Sequence, residues 1–316
     1  MEILVVRNHE RLYNGLPYMG RKTRLALVGR GYWGKVYIKT ISNLPQIELQ
    51  NSHIYGKDFK RIKKISPASL DGVVVAVSTD AHYKVAKYLL ENGFKNILIE
   101  KPLTKSPTQS RKIIALMKLI PDSRVMMGHI MLYDPALKVL KKNLKKIGTI
   151  EKIEYTSLKG PKVKDNAILQ DGSPHPIYLF SYLLNKKPKY VSAKINSKGN
   201  IMMTLGFGSK QCVAYFGSNH PKRVRNLTVI GSKGTLTLND FTNPRTLLLV
   251  CRGRKNKELE FGSKSPLECE LLEFISILNS KKKIESSIEK GHEVVAAMNY
   301  ALKSALENGK VMPIVY

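Results

Sequence analysis

From residue 23 onward, short fully apolar runs alternate with stretches whose apolar residues recur at helical spacing. Arg24-Leu25-Ala26-Leu27-Val28 reads as a buried strand, and Lys35 to Leu44 as the helix after it. A second strand runs roughly from Ile47 to Ile54. Asp71-Gly72 then introduces Val73-Val74-Val75-Ala76-Val77, a β-branched run of the kind covered on both faces of a parallel sheet. A helical stretch from Tyr83 to Asn92 leads to a strand at Asn96–Glu100. Ser106-Pro107 opens a helix to about Ile120, and Arg124–His129 forms a fifth strand. Strand, helix and strand in alternation predict a doubly wound parallel sheet, with ligands at the carboxyl ends of its strands.

Beyond Pro135 the pattern changes. Alternating strands are expected at 149–157, 190–197, 200–206, 211–217, 225–230, 234–238 and 245–250, joined by short Gly, Asn and Ser turns that favour antiparallel pairing. One helix interrupts them at Pro174–Leu184, and two close the chain at Pro266–Asn279 and Ile288–Asn308. The fold class expected is α/β: an N-terminal Rossmann sheet plus a C-terminal α+β domain with a large, mostly antiparallel sheet. The expected division is a peripheral extension at 1–22, a dinucleotide-binding domain at 23–134 and a substrate and oligomerisation domain at 135–316. Met19 is a candidate alternative start. No internal repeat or low-complexity linker stands out.

Gly29-Arg30-Gly31-Tyr32-Trp33-Gly34 follows the first strand and opens the first helix, the context that gives a G-x-G-x-x-G pattern weight. Gly29 permits the tight bend, Gly31 lets the backbone approach a pyrophosphate, and Gly34 lets helix and strand pack closely. Tyr32 and Trp33 lie over the same ligand, at a helix N-terminus with unpaired N–H groups. Ser78, Thr79 and His82 follow the Val73–Val77 strand, and Glu100 and Lys101 end the next; all sit at the ligand edge of the sheet and are expected at the cofactor. An acid that holds the adenosine ribose is usual about 20 residues past the glycines. Here Ser52-His53-Ile54-Tyr55-Gly56-Lys57 carries none, so NAD and NADP both stand.

Lys101 precedes Pro102, so it enters the crevice from a stiff backbone, suited to hydrogen-bond to or deprotonate a substrate hydroxyl. In Asp171-Gly172-Ser173-Pro174-His175, Ser173 reads as an N-cap and Pro174 as the first helical residue. His175 then sits in the first turn, where the helix's positive end keeps its ring neutral, as a general base requires. Asp171 orients that ring or binds a sugar hydroxyl. His129 and Tyr133, in the crossover Gly128–Pro135, fit two roles equally: lining nicotinamide or substrate, or packing the linker. His9, His53, His82, His220 and His292 lack ligand spacing, so no metal is expected.

The chain has 316 residues with 53 Lys+Arg against 24 Asp+Glu, a formal charge of +29. The basic residues are scattered and no nucleic-acid motif accompanies them, which favours a lysine-rich surface or a field for a phosphate-bearing substrate over nucleic acid. Cys212, Cys251 and Cys269 are far apart and lack metal-site spacing, as in a reduced cytoplasmic protein. No apolar run reaches the roughly 20 residues of a membrane span.

Gly29-x-Gly31-x-Trp33-Gly34, Glu100-Lys101-Pro102, Gly128-His129-x-x-Leu132-Tyr133 and Asp171-x-x-Pro174-His175 together resemble the glucose-fructose oxidoreductase / inositol dehydrogenase (Gfo/Idh/MocA) family, over roughly residues 23 to 316. Tyr32-Trp33-Gly34, the crossover and Thr228–Gly234 look most like nucleotide-sugar dehydrogenases that oxidise the 3-hydroxyl of a UDP-N-acetylglucosaminuronate-type substrate. The resemblance implies an NAD(P)-dependent dehydrogenase acting on a sugar or nucleotide sugar, with Lys101 and His175 in catalysis, Asp171 assisting, and pairing of the open sheet into a homo-oligomer. Other small-molecule substrates such as inositol-like polyols, or a non-catalytic cofactor sensor, are the alternatives. Two departures are the missing ribose acid and Pro176, where many relatives carry Asp.

Overall fold

The computed structural model describes residues 20–49, 54–55, 66–159, 165–218, 220–240, 244–278, 280 and 282–316. The first apolar run becomes β1 (Thr23–Val28), and α1 (Tyr32–Ile41) follows it. The expected second strand is two short pieces, β2 (Ile47–Glu48) and β3 (Ile54–Tyr55), each parallel to β1. Then come β4 (Gly72–Val75), α2 (Thr79–Glu91), β5 (Asn96–Glu100), α3 (Pro107–Lys118) and β6 (Arg124–Gly128). The sheet runs β2-β1-β4-β5-β6 with β3 also beside β1, all parallel. Side chains of β1 alternate between two cores, Leu25 and Leu27 in one and Ala26 and Val28 in the other. That period-two alternation is what a strand covered on both faces produces.

The second part holds α4 (Pro135–Asn143), β7 (Ile150–Leu158), α5 (Asp165–Gly172), α6 (Pro174–Leu184), β8 (Tyr190–Ile195), β9 (Ile201–Phe207) and β10 (Lys210–Gly217). It continues with β11 (Val224–Gly231), β12 (Gly234–Asn239), β13 (Thr246–Cys251), β14 (Lys257–Glu258), α7 (Pro266–Leu278), α8 (Ile288–Leu306) and β15 (Met312–Pro313). These strands make a nine-stranded sheet, β14-β13-β12-β11-β7-β10-β9-β8-β15. It is antiparallel throughout except where β10 returns beside β7, Cys212 opposite Ile153, and runs parallel to it. The fold class is therefore the one expected.

Two local expectations need correction, and one lies beyond test. The first helix starts at Tyr32 rather than Lys35, because Gly31 itself takes the extended N-cap conformation and the turn runs straight into the helix. α4 and α5 add helices where none was expected. For α4 the signal was present: the Asp134 carboxylate accepts from the Ala136 amide at 2.8 Å, with Pro135 as first helical residue. The stretch expected to hold the ribose acid falls, except for Ile54 and Tyr55, outside the described residues, as do residues 1–19.

The chain's last helix ties the two sheets together. Ile288 and Val295 of α8 join the core on one face of the parallel sheet, while Val294, Ala297, Met298 and Ala301 join the larger core that runs from that sheet's other face to the nine-stranded sheet. On the first side Ser110 and His292 share a 2.7 Å hydrogen bond; on the second Ser304 accepts from the Ala193 amide of β8 at 2.9 Å. Among the described residues no helix is long and apolar enough to cross a membrane.

Candidate active site

The crevice at the carboxyl ends of β1, β4 and β5 begins with the glycine turn. A side chain on Gly29 would meet the Ala76 carbonyl of β4's exit at 2.2 Å, and one on Gly34 the Gly29 carbonyl at 2.2 Å. Backbone therefore packs on backbone there, and only glycine fits. At Gly31 a Cβ would meet nothing within 4 Å. The structure itself does not require a glycine at 31, so the space in front of it is available to a bound group, and the N–H groups opening α1 at Tyr32 and Trp33 border it. Tyr32 is 77% exposed, and the Tyr32 and Trp33 rings meet edge to face. This is a cradle into which a pyrophosphate fits.

Lys101 leaves the end of β5 through a cis peptide to Pro102. Its Nζ donates to Asp171 Oδ1 at 2.6 Å and to the Asp171 carbonyl at 3.2 Å. Asp171 Oδ2 accepts from Lys159 Nζ at 2.7 Å, so one carboxylate bridges two ammonium groups. Burial pushes the Asp171 carboxyl up, but the two lysines outweigh it and hold it well below the usual carboxylate range. Lys101, Asp171, Thr79 and Pro102 share a cavity of about 240 Å³ with Lys105 and Gln170.

Four residues past Asp171, one helical turn along the same run, stands His175. The expected N-cap is absent. Ser173 is helical, its amide donates to Leu169 at 3.0 Å, and its carbonyl accepts from Ile177, so α5 runs into α6 without exposing a helix start. His175 is neutral for a different reason than expected. Burial pushes its pKa well below the ordinary value, the Lys101 and Arg225 cations push it further, and Asp171 opposes them. Its Nδ1 lies 2.7 Å from Tyr178 Oη. With the proton on Nδ1 donated to that oxygen, the Nε2 lone pair is left free to accept another.

The remaining expected residues divide. Ser78 is exposed and caps α2 with its backbone only, beside Thr79 at the crevice. His82 is buried, with Nδ1 2.7 Å from the Pro102 carbonyl and Nε2 3.1 Å from that of Val77. It clasps the β5 turn to the β4 turn instead of presenting nitrogens to a cofactor. Glu100 likewise turns inward: Oε1 accepts from Tyr37 at 2.9 Å and Oε2 from the Lys101 amide at 3.1 Å. Burial raises its carboxyl to about 7, against the pull of Lys101.

Tyr133 is buried with its hydroxyl 2.7 Å from Ser286 Oγ, which donates to the Met127 carbonyl, so it secures the crossover and offers nothing to a substrate. His129 is 1% exposed and stacks on Tyr178, centroids 4.4 Å apart at 20°. It lines a cavity with α6 and α8 and not the one that holds Lys101. Of the two roles open to each of these residues, the structure gives both the packing one.

Sequence reasoning missed Lys159, Tyr37 and Tyr178. One lysine more in so basic a chain carries no signal. The spacing of Tyr178, three residues past His175 on a predicted helix, was a signal available to find it.

A parallel sheet whose first turn is built this way defines a dinucleotide-binding domain. Residues 23–129 match the Gfo/Idh/MocA family, described as an oxidoreductase family with an NAD-binding Rossmann fold. A comparison with curated protein sequences finds no match. Among solved structures, an oxidoreductase from Sinorhizobium meliloti is 15% identical with a TM-score of 0.78, covering 93% of this chain and 100% of that one. UDP-N-acetylglucosamine 3-dehydrogenase from Acidithiobacillus ferrooxidans is 16% identical with a TM-score of 0.78, covering 90% and 97%. An inositol dehydrogenase homolog complexed with NAD+ from Azotobacter vinelandii is 14% identical with a TM-score of 0.77, covering 93% and 97%. At these identities the likeness is one of fold.

Proposed function

We propose that this dehydrogenase acts on a CH–OH carbon of a sugar or nucleotide sugar, with His175 as general base and Lys101 as the group that holds the reacting oxygen. The observation that carries the reading is the Lys101–Asp171–Lys159 ion network one helical turn from a neutral His175, beside the glycine cradle. The cofactor's residues would be Gly29, Gly31, Tyr32, Trp33 and Gly34 for the pyrophosphate, with Ser78 and Thr79 at the next strand end. When bound, the nicotinamide supplies an acceptor or donor for the two electrons and hydrogen exchanged with the substrate carbon.

His175 takes the hydroxyl proton on Nε2, with Nδ1–H steadied by Tyr178. Lys101 donates to the same hydroxyl oxygen and offsets the negative charge that grows there. Asp171 fixes Lys101 from the opposite side of the crevice, and Lys159 keeps Asp171 ionised. Lys101 and Lys159 share the single carboxylate of Asp171, which leaves a net positive charge there and supports an anionic substrate such as a nucleotide sugar or uronate. The polyol reading draws equal support from the inositol dehydrogenase likeness.

A panel of UDP-sugars, uronates and inositols, followed by absorbance of the reduced cofactor, separates them. Turnover of inositols alone overturns the sugar reading, and turnover of nothing in the panel revives the cofactor sensor. The same reading carries a homo-oligomer built on the open face of the nine-stranded sheet, where Met202 is 51% exposed. Sedimentation showing a monomer at all concentrations overturns that part.

A further inference from the structure

Beneath the Lys101 turn lies a sealed polar cluster drawn from three elements far apart in the sequence. Tyr37 comes from α1, the helix that opens at the glycine turn, Glu100 ends β5, and Glu270 sits early in α7. Tyr37 and Glu270 are fully buried, and Glu100 nearly so. Tyr37 Oη lies 2.9 Å from Glu100 Oε1 and 3.3 Å from Glu270 Oε2, while Glu100 Oε2 accepts from the Lys101 amide at 3.1 Å.

One phenolic hydrogen cannot serve two ionised carboxylates, so one of the two acids carries a proton of its own. That acid is Glu270. Glu100 takes the shorter bond, and the Lys101 cation and amide offset its negative charge. Glu270 has no such support: it makes no ion pair with a described residue, and its Oε1 has no hydrogen-bond partner. Burial, with the Glu100 charge adding to it, pushes its carboxyl well above the usual range. The bare Oε1 is then the carbonyl oxygen of a neutral acid, which costs far less to bury than an ionised one. Tyr133 and Tyr178, the other titratable groups that feel Glu270, are held as neutral hydroxyls by burial.

We propose that Glu270 is a positioning residue for Lys101: as a neutral acid it donates to Tyr37, Tyr37 donates to Glu100, and Glu100 holds the Lys101 amide. A helix near the end of the chain thereby sets the turn that aims the lysine. Each bond in such a chain polarises the next, and a shift of about 1 Å at a reacting group costs on the order of 10²-fold in rate. The effect on turnover rests on the reading of Lys101 as the group that holds the reacting oxygen, whereas the direction of the hydrogen-bond chain does not.

Infrared difference spectra of the full chain, wild type minus Glu270→Gln, test the proton without substrate or cofactor. At mildly alkaline pH they are expected to show the carbonyl stretch of a protonated carboxyl group that the variant lacks. Kinetics on the substrate found in the sugar panel test the positioning. Glu270→Leu should lower kcat by about tenfold with KM and NAD affinity little changed, and Glu270→Gln, whose amide still donates to Tyr37, should recover to within about threefold. Tyr37→Phe should lose as much as Glu270→Leu, and the double variant no more than either, because both act through one chain. The Tm of Glu270→Leu should not fall, since an apolar side chain replaces a buried acid.

Absence of the carboxyl band overturns the proposal. So does wild-type kcat in Glu270→Leu, a loss in Glu270→Gln as large as in Glu270→Leu, or losses that add in the double variant. A fall in kcat that only follows a fall in Tm makes Glu270 a packing residue and overturns it as well. Wild-type turnover in Lys101→Met strikes the lysine's role and with it the positioning, while a band that persists in that variant upholds the protonated chain.

Discussion

The glycine turn and the Asp171–His175 corner are built from opposite materials. In the turn the working parts are backbone: Gly29 and Gly34 are fixed by carbonyls 2.2 Å from where a side chain would begin, and Gly31 is open. No charge is needed. At the corner the backbone is an uninterrupted helical run, and everything functional is side chain: a carboxylate between two lysines, and a histidine held by a tyrosine. Backbone sites depend on local spacing, so a residue change there is felt as shape. Side-chain sites draw on distant elements, so a change there is felt as charge.

The largest effect that separates the two is expected from His175→Ala. It should lower kcat by about 10²–10⁴, the usual worth of a positioned general base, while NAD affinity stays unchanged in the same preparation. An equal loss of cofactor affinity breaks the division. Gly31→Val should do the converse: NAD Kd rises by about a hundredfold or more, roughly 2.8 kcal/mol, with little change in Tm, because a Cβ there touches nothing of the protein. Unaltered NAD affinity in calorimetry removes the pyrophosphate from this turn.

Asp171→Asn leaves two ammonium groups without their shared carboxylate. A loss of about tenfold in kcat/KM is expected, partly recovered in Asp171→Glu. No recovery means that Asp171 acts through shape rather than charge.

The smallest effect is in pH. Burial and the Lys101 charge both lower the pKa of His175, so activity should hold as the pH falls below the ordinary histidine value and fail only lower still. Removing the cation in Lys101→Met raises that pKa, so the acid limb of kcat/KM should move to higher pH. Movement to lower pH contradicts the electrostatic account.

The same contrast explains what the sequence disclosed. The glycine cradle and the parallel sheet were legible because their spacing is geometric and local, and Val73–Val75 can hardly be anything but a strand buried on both faces. The residue types at the corner were legible too, yet their setting was misread. Ser173-Pro174 has the chemistry of a helix start, but α5 supplies helical carbonyls just before it, so the cap had no work to do. His82, Glu100, His129 and Tyr133 sit at the right strand ends and turn inward. Sequence position gives the end of a strand, while the inward turn is decided by partners far along the chain: the Pro102 carbonyl, Tyr37, Tyr178 and Ser286. The parallel pair of β7 and β10 was hidden for the same reason, since turn signals report only on neighbouring strands.

α8 carries a consequence for how the molecule comes apart. A helix that sinks one side into each core cannot leave one half without undoing the other, so heat or denaturant should melt both sheets in a single transition, with one midpoint by every probe. Nor is the nucleotide-binding half a module that can be cut free: shortened to residues 20–134, it loses Ile288 and Val295 from its core, and Ser110 loses its partner His292. Such a fragment would present a raw apolar flank beside Met127 and Leu103 and collect into aggregates, so any transplant of this cofactor domain has to bring the chain's final helix with it.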